Sequence, residues 1–421
     1  ALSLDARAKL CHQAVDAMLA MKEDCAREIT WQMGRPIQYS PGELAGLEER
    51  SRYMIDIAAG ALADIEINQD NNKPGPRRFI RSNPLGIVLT VAPWNYPYLT
   101  AINSIIPALM AGNCVILKHS AQTLLCAERL LQAFSRAGLP HGVFQILHMD
   151  RIDCLRLAQR KEVNFVAFTG SVSAGQAFEK ALAGHIKGLS LELGGKDAAY
   201  VRPDADIKFS AEQLVDGAFF NSGQSCCGIE RIYLHEAIYS EFVDAFVENV
   251  KQYKLGNPID QETTLGPMVS ARAARFVREQ IAQAKDLGAF SCIGESDFPQ
   301  YNESTAYLAP QVLLEVNHSM PIMKQESFGP VVGIMKVKDD EEALKLINDS
   351  DFGLTASIWS NHEEQAIRLG DQIEAGTVFL NRCDYLDPSL TWTGVKMSGR
   401  GCALSTLGYR QLTQPKSFYI R

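Results

Sequence analysis

From Gly86 onward the chain alternates short apolar runs with helix-patterned stretches, and this alternation limits the fold more than any other feature. Residues 87–91, 114–117, 143–147 and 163–168 read as buried strands; residues 102–111, 124–137 and 174–183 read as the helices between them. Strands joined through helices must run parallel, and right-handed crossovers then cover both sheet faces. The expected class is α/β, an open doubly wound sheet of the nucleotide-binding kind. After Lys196 a second α/β half follows, with strands near 230–234, 331–337, 355–359 and 377–380. Its helices fall near 238–253, 271–287, 341–348 and 363–372. Ahead of Gly86, Leu10, Ala14, Ala17, Met18, Met21 and Cys25 recur at helical spacing, predicting one amphipathic helix over 4–33 that Gly34 and Pro36 stop. A second helix is expected over 42–65, a loop over 68–76, and a short edge strand at 417–421 that pairs outside its own domain.

Composition narrows the function classes. A chain of 421 residues, 46% hydrophobic and 21% charged, is an ordinary globular protein of two or three domains. Lys+Arg 41 against Asp+Glu 49 gives a net charge of −8 without a strongly basic run, so no nucleic-acid phosphate track is expected. No apolar run is long enough to span a bilayer, and the start lacks a basic-then-apolar signal segment. Ten Cys are too sparse for a disulfide framework, so reduced thiols in a cytoplasmic setting are expected. No metal site is expected.

Six segments could carry chemistry, each with an ordinary structural alternative. In Asn221-Ser222-Gly223-Gln224-Ser225-Cys226-Cys227 a glycine turn precedes a thiol, which is either a nucleophile or a packed cysteine. In Leu191-Glu192-Leu193-Gly194-Gly195-Lys196 a carboxyl sits among apolar and glycine residues, where poor solvation would tune it as a base, unless it pairs with Lys196. Ala92-Pro93-Trp94-Asn95-Tyr96-Pro97 follows a strand, and the Asn95 amide could donate to an oxyanion or serve only the turn. Phe168-Thr169-Gly170-Ser171-Val172-Ser173-Ala174-Gly175 joins a strand to a helix, a setting for phosphate or for a plain serine cap. Leu117-Lys118-His119-Ser120 places a lysine at a strand end, and Gln325-Glu326-Ser327-Phe328-Gly329-Pro330 puts a carboxylate beside a ring.

Taken together, these segments resemble the NAD(P)-dependent aldehyde dehydrogenase superfamily across nearly the whole chain. L-E-L-G-G-K around Glu192 and G-Q-S-C ending at Cys226 are the specific pair, and the segment from Asp387 to Gly399 is also family-like. The resemblance implies a Rossmann-type cofactor domain (1–66 and 86–195), a catalytic α/β domain (196–411) and an oligomerisation flap (67–85 and 412–421). It implies Cys226 as nucleophile, Glu192 as the base that hydrolyses a thioester, and Asn95 as oxyanion donor. It places Trp94, Lys118, Ser120, Gly170, Ser171, Gly175, Glu326 and Phe328 at NAD or NADP. Tyr96, Leu99, Asn103, Ser225, Cys227 and Trp392 would line the aldehyde tunnel, with Tyr385 helping to close it. A homodimer or homotetramer acting on a small aldehyde follows. A coenzyme A acceptor or a silent nucleotide-binding member are the alternatives.

The departures from the family pattern carry expectations too. Ala121 stands where a ribose-binding Glu is common, so NADP should be tolerated or preferred. His119 replaces a proline and could approach the phosphate, and the acid common near 403–406 has no counterpart. Asn103 stands about where relatives acting on succinic semialdehyde often carry an arginine, which counts against an acidic semialdehyde as substrate unless another loop supplies a cation. The chain also begins inside what looks like the family's first long helix, implying a truncated N-terminus or a short branch.

Overall fold

The computed structural model describes residues 2–67 and 75–421. Most of the loop expected at 68–76 therefore lies outside the described residues. The first helical stretch is two helices, α1 (Leu4–Leu19) and α2 (Lys22–Met33), rather than the single one expected. Met18 and Met21 keep the three-residue apolar step across the break, and both are buried, so periodicity alone cannot register it. Helix α3 (Pro41–Ala61) ends before Ile65, which belongs instead to strand β1 (Ile65–Glu66).

There follow β2 (Arg77–Pro84), β3 (Ile87–Ala92), α4 (Pro97–Met110), β4 (Cys114–His119), α5 (Leu124–Arg136) and β5 (Phe144–Ile146). Helix α6 (Arg151–Gln159), β6 (Val163–Thr169), α7 (Val172–Leu182) and β7 (Gly188–Glu192) complete the first half. Successive residues of β3 point to opposite faces, and both faces are dry. Val88 packs with α1, α3, α4 and α5, whereas Leu89 and Val91 pack with α6 and α7. Such two-sided burial explains why these strands read as unbroken apolar runs.

The second half holds β8 (Asp197–Val201), α8 (Ile207–Phe219), β9 (Ile229–His235), α9 (Tyr239–Val250), α10 (Ala271–Asp286), β10 (Phe290–Ser291), β11 (Gln311–Leu314) and β12 (Val331–Val337). Helix α11 (Asp340–Asn348), β13 (Phe352–Gly353), β14 (Thr355–Trp359), α12 (Glu363–Gly370), β15 (Thr377–Leu380), β16 (Val395–Lys396), β17 (Gly399–Arg400) and β18 (Thr413–Ile420) follow. Helices α6 and α8 were not expected. Each has an aspartate cap, Asp150 and Asp206, whose side chain accepts from the backbone three residues on, a signal present in the sequence.

The first sheet has the order β17-β7-β6-β3-β4-β5 and the second β10-β11-β12-β9-β8-β14-β15. In the first, the chain moves from β3 outward to β5 and then returns to the other side of β3 with β6. This reversal opens a crevice beyond the carboxyl ends of β3 and β6, where α/β sheets take ligands. Residues 193–196 join the two sheets. Trp392, Leu404, Tyr409 and Leu412 pack with α1, α3 and α4, so the end of the 196–411 stretch returns to the first unit. The tail strand β18 is longer than expected and pairs antiparallel with all of β2, forming a three-stranded flap with β1. No helix among the described residues is long and apolar enough to cross a membrane.

Candidate active site

Cys226 leaves a turn with an unusual backbone. Asn221, Ser222 and Gly223 have φ values of 54°, 57° and 68° in succession. The left-handed region costs a non-glycine residue on the order of 1 kcal/mol or more, so the surroundings must hold this turn. Arg35 Nε donates to Asn221 Oδ1 at 3.2 Å, and Ser222 Oγ donates to the Gly266 carbonyl at 2.8 Å. Gln224 Oε1 accepts from the Val269 N–H at 2.7 Å. At Gly223 a Cβ would run into the Gly329 carbonyl. The turn leaves Cys226 half-buried while Cys227 is sealed.

Asn95 follows β3 and is 4% exposed. Its carbonyl accepts from Arg35 Nη2 at 2.5 Å and from Asn221 Nδ2 at 3.2 Å. Its own amide gives one proton to the Gln224 carbonyl at 3.2 Å, leaving the second for a ligand. Arg35 closes the arrangement through a buried ion pair with Glu43 at 2.5 Å. The other Glu43 oxygen accepts from the Tyr98 and Leu99 N–H groups at 2.9 and 3.1 Å, capping the first turn of α4.

Glu192 ends β7 opposite Thr169 of β6. Burial pushes its carboxyl up to about 7, against the opposing pull of the Thr169 hydroxyl, 3.1 Å from Oε2, and of Arg50. It does not pair with Lys196. That lysine is buried against Glu230 and bonds Ser327 Oγ at 3.2 Å, so it supports the loop. Glu326 accepts from the Gly195 N–H at 3.1 Å, and burial, then the nearby Glu230, push it up to about 8. A Cβ at Gly194 would collide with the Glu326 carboxylate, and one at Gly195 would lie 2.5 Å from the Cys226 carbonyl. The glycine pair thus lets the linking segment pass between the two.

Two cavities meet at this point. One, of about 490 Å³, is lined by all six expected tunnel residues, Tyr96, Leu99, Asn103, Ser225, Cys227 and Trp392, and by Tyr385. The other, of about 270 Å³, is lined by Trp94, Asn95, Gly170, Ser171, Glu326 and Phe328. Cys226 and Glu192 line both. Trp94 and Phe328 meet edge to face with ring centres 5.7 Å apart.

Other expected residues lie elsewhere. Gly175 packs in α7 under Leu193, and Lys118 and Ser120 line neither cavity. Lys118 stands opposite Val91 near the carboxyl end of β4, and the Ser120 hydroxyl accepts from the Gln122 N–H at 3.2 Å. His119 does not approach a phosphate. Its ring is buried, with Nε2 2.9 Å from the Pro97 carbonyl and Nδ1 3.2 Å from Thr123 Oγ1. Burial pushes it down to about 4, so the ring is neutral and its Nε2–H donates to Pro97. Sequence reasoning missed Arg35, Glu43, Arg50 and Asp384. The signal for Arg35 was its place between Gly34 and Pro36, but its partners are distant in the chain.

The Aldehyde dehydrogenase family model matches residues 1–418. An aldehyde dehydrogenase of Paenarthrobacter nicotinovorans is 37% identical over 99% of this chain and 90% of its own length. The succinate-semialdehyde dehydrogenase [NADP(+)] of Mycobacterium avium is 34% identical over 98% of this chain and 87% of its own. The crystal structure of succinic semialdehyde dehydrogenase from Streptococcus pyogenes in complex with NADP+ superposes with a TM-score of 0.94 at 29% identity, covering 99% of this chain and 90% of that one. This chain belongs to the aldehyde dehydrogenase family and is an oxidoreductase acting on aldehydes.

Proposed function

We propose that the protein oxidises an aldehyde to the free carboxylic acid with NAD or NADP, through a thioester on Cys226. The observation that carries this reading is the meeting of two cavities at one sulfur and one carboxyl, Cys226 and Glu192, with the spare Asn95 proton beside them.

The smaller cavity fits a nicotinamide nucleotide. Ser171 opens α7 at the switch point of the sheet, where helix N–H groups meet a phosphate. Glu326 uses one oxygen on Gly195 and keeps the other for a ribose hydroxyl, while Trp94 and Phe328 frame a flat ring. The nicotinamide, when bound, supplies the hydride acceptor. Lys118 and Ser120 stand along the carboxyl end of β4 and belong with the adenosine half. Ala121 puts no negative charge there, which favours NADP, and relatives named for NADP(+) support the same preference.

The chain's own groups then act in order. The Cys226 thiolate adds to the carbonyl carbon, a C–S bond forms, and the carbonyl electron pair moves to oxygen. The Asn95 amide and the Cys226 N–H receive that oxyanion. Loss of hydride from the same carbon restores C=O and leaves a thioester. Glu192 takes a proton from water, the water oxygen adds to the acyl carbon, and the C–S bond breaks to give acid and Cys226.

The first sheet unit holds the cofactor and the second presents Cys226. The flap carries exposed Ile65, Tyr419 and Ile420, and we assign it to self-association into a dimer or tetramer. All ten cysteines are unpaired, which suits a reducing, cytoplasmic setting. The test is an aldehyde panel with both cofactors on wild type and Cys226→Ser. Loss of aldehyde-dependent nicotinamide reduction, with cofactor binding kept, is expected. Comparable rates in the variant would overturn the reading.

A further inference from the structure

The larger cavity contains a guanidinium whose charge reaches Glu192 but which pairs with neither Glu192 nor Cys226. Arg50 lies on α3, whose Gly42, Gly46 and Glu49 line the same wall. Gly46 packs against Leu99 of α4 where a Cβ would come within 2.8 Å, so the two helices approach closely beside Arg50. Its Nη1 donates to Asn103 Oδ1 at 3.3 Å. No carboxylate of the described residues stands within salt-bridge distance of it. It is the one cationic side chain lining this cavity among the described residues.

Of the acids on the same walls, Glu192 feels the charge of Arg50 without pairing with it, and its Oε2 accepts from Thr169 at 3.1 Å. Asp384 accepts from Ser225 Oγ and from Cys227 Sγ, both at 2.9 Å. Glu49 accepts from the Tyr385 hydroxyl at 3.2 Å. Asp216 is pushed up to about 6 by burial and by Asp384. A half-buried guanidinium without an anion leaves donors of a rigid planar fork unfilled. A carboxylate has two oxygens that match that fork.

We infer that Arg50 receives a carboxylate on the substrate, so that the preferred aldehydes carry an acid group at the end away from the carbonyl. This rests on the reading that the aldehyde reacts at Cys226, and it names the substrate class for that site. Asn103 acts as a positioning residue that orients the guanidinium.

The test compares 4-oxobutanoate, its methyl ester and 4-aminobutanal as substrates of wild type, Arg50→Gln and Arg50→Lys. The ester has the same aldehyde end and lacks the charge. Wild type is expected to favour the acid over the ester in kcat/KM by about tenfold or more, the range of a charged hydrogen-bonded pair. Arg50→Gln should remove most of that ratio, chiefly through KM, and Arg50→Lys should keep part of it. Any influence of Arg50 on Glu192 bears on both substrates and cancels in the ratio. An equal ratio in wild type and Arg50→Gln, or a preference for 4-aminobutanal, would overturn the inference while leaving the Cys226 chemistry standing. Succinate binding to Cys226→Ser, by calorimetry with NADP present, gives the same answer without turnover. Arg50→Gln in that background should weaken it by about tenfold or more, and unchanged affinity would overturn the inference.

Discussion

Arg35 and Glu43 form an ion pair at 2.5 Å inside the protein, and each spends its remaining hydrogen bonds on a different part of the site. The guanidinium holds Asn221 and the Asn95 carbonyl, and the carboxylate caps α4. The turn before Cys226, Asn95 and helix α4 are thereby fixed to one another. Their sequence separations are large, 186 residues between Arg35 and Asn221.

Removing one partner leaves the other charge buried and alone. Arg35→Met is expected to destabilise the fold by about 3–5 kcal/mol in urea titrations. The double variant Arg35→Met with Glu43→Gln should lose less than the sum of the single variants. Additive losses would show that the pair is not coupled.

On the proposed mechanism, Asn95→Ala removes the side-chain donor to the oxyanion. A loss in kcat of about 100-fold to 1000-fold is expected, corresponding to about 2.7–4 kcal/mol, with cofactor affinity unchanged. Transient kinetics should place the loss in the acylation half. A variant within a few-fold of wild type would remove Asn95 from that role.

The base form of Glu192 is the carboxylate, and burial raises its pKa to about 7. Thioester hydrolysis should therefore fall about tenfold per pH unit below about 7 and level off above it. The Thr169 hydroxyl favours the ionised form, so Thr169→Val should move the midpoint to higher pH. A midpoint that stays put or moves down would contradict this assignment.

The parts legible in the sequence were those whose cause is local. Strands β3, β4 and β6 are apolar because both sheet faces are covered, and Asn95, Thr169 and Glu192 stand at or just beyond strand ends. The glycines beside Glu192 and Cys226 marked backbone that must pass close to other atoms. What stayed hidden depends on contacts across the chain. The break after Leu19 preserves apolar spacing, the inward turn of His119 depends on the Pro97 carbonyl, and Arg50 gains meaning only when α3 lies beside Cys226.

Ala121→Glu restores a negative charge near the expected adenosine ribose. The NADP-to-NAD ratio in kcat/KM is expected to fall by about tenfold or more through repulsion of the 2′-phosphate. An unchanged ratio would place cofactor choice elsewhere.

The most direct measurement is intact-protein mass spectrometry of Glu192→Gln mixed with an oxidisable aldehyde and NADP. With the proposed base gone, the acyl group should remain on the enzyme, adding the mass of the acid less water, and peptide mapping should place it on Cys226 alone. One equivalent of reduced cofactor should form per site and then stop. Continued turnover without an acyl adduct, or an adduct on another residue, would contradict the assignment of Cys226 and Glu192 as nucleophile and base.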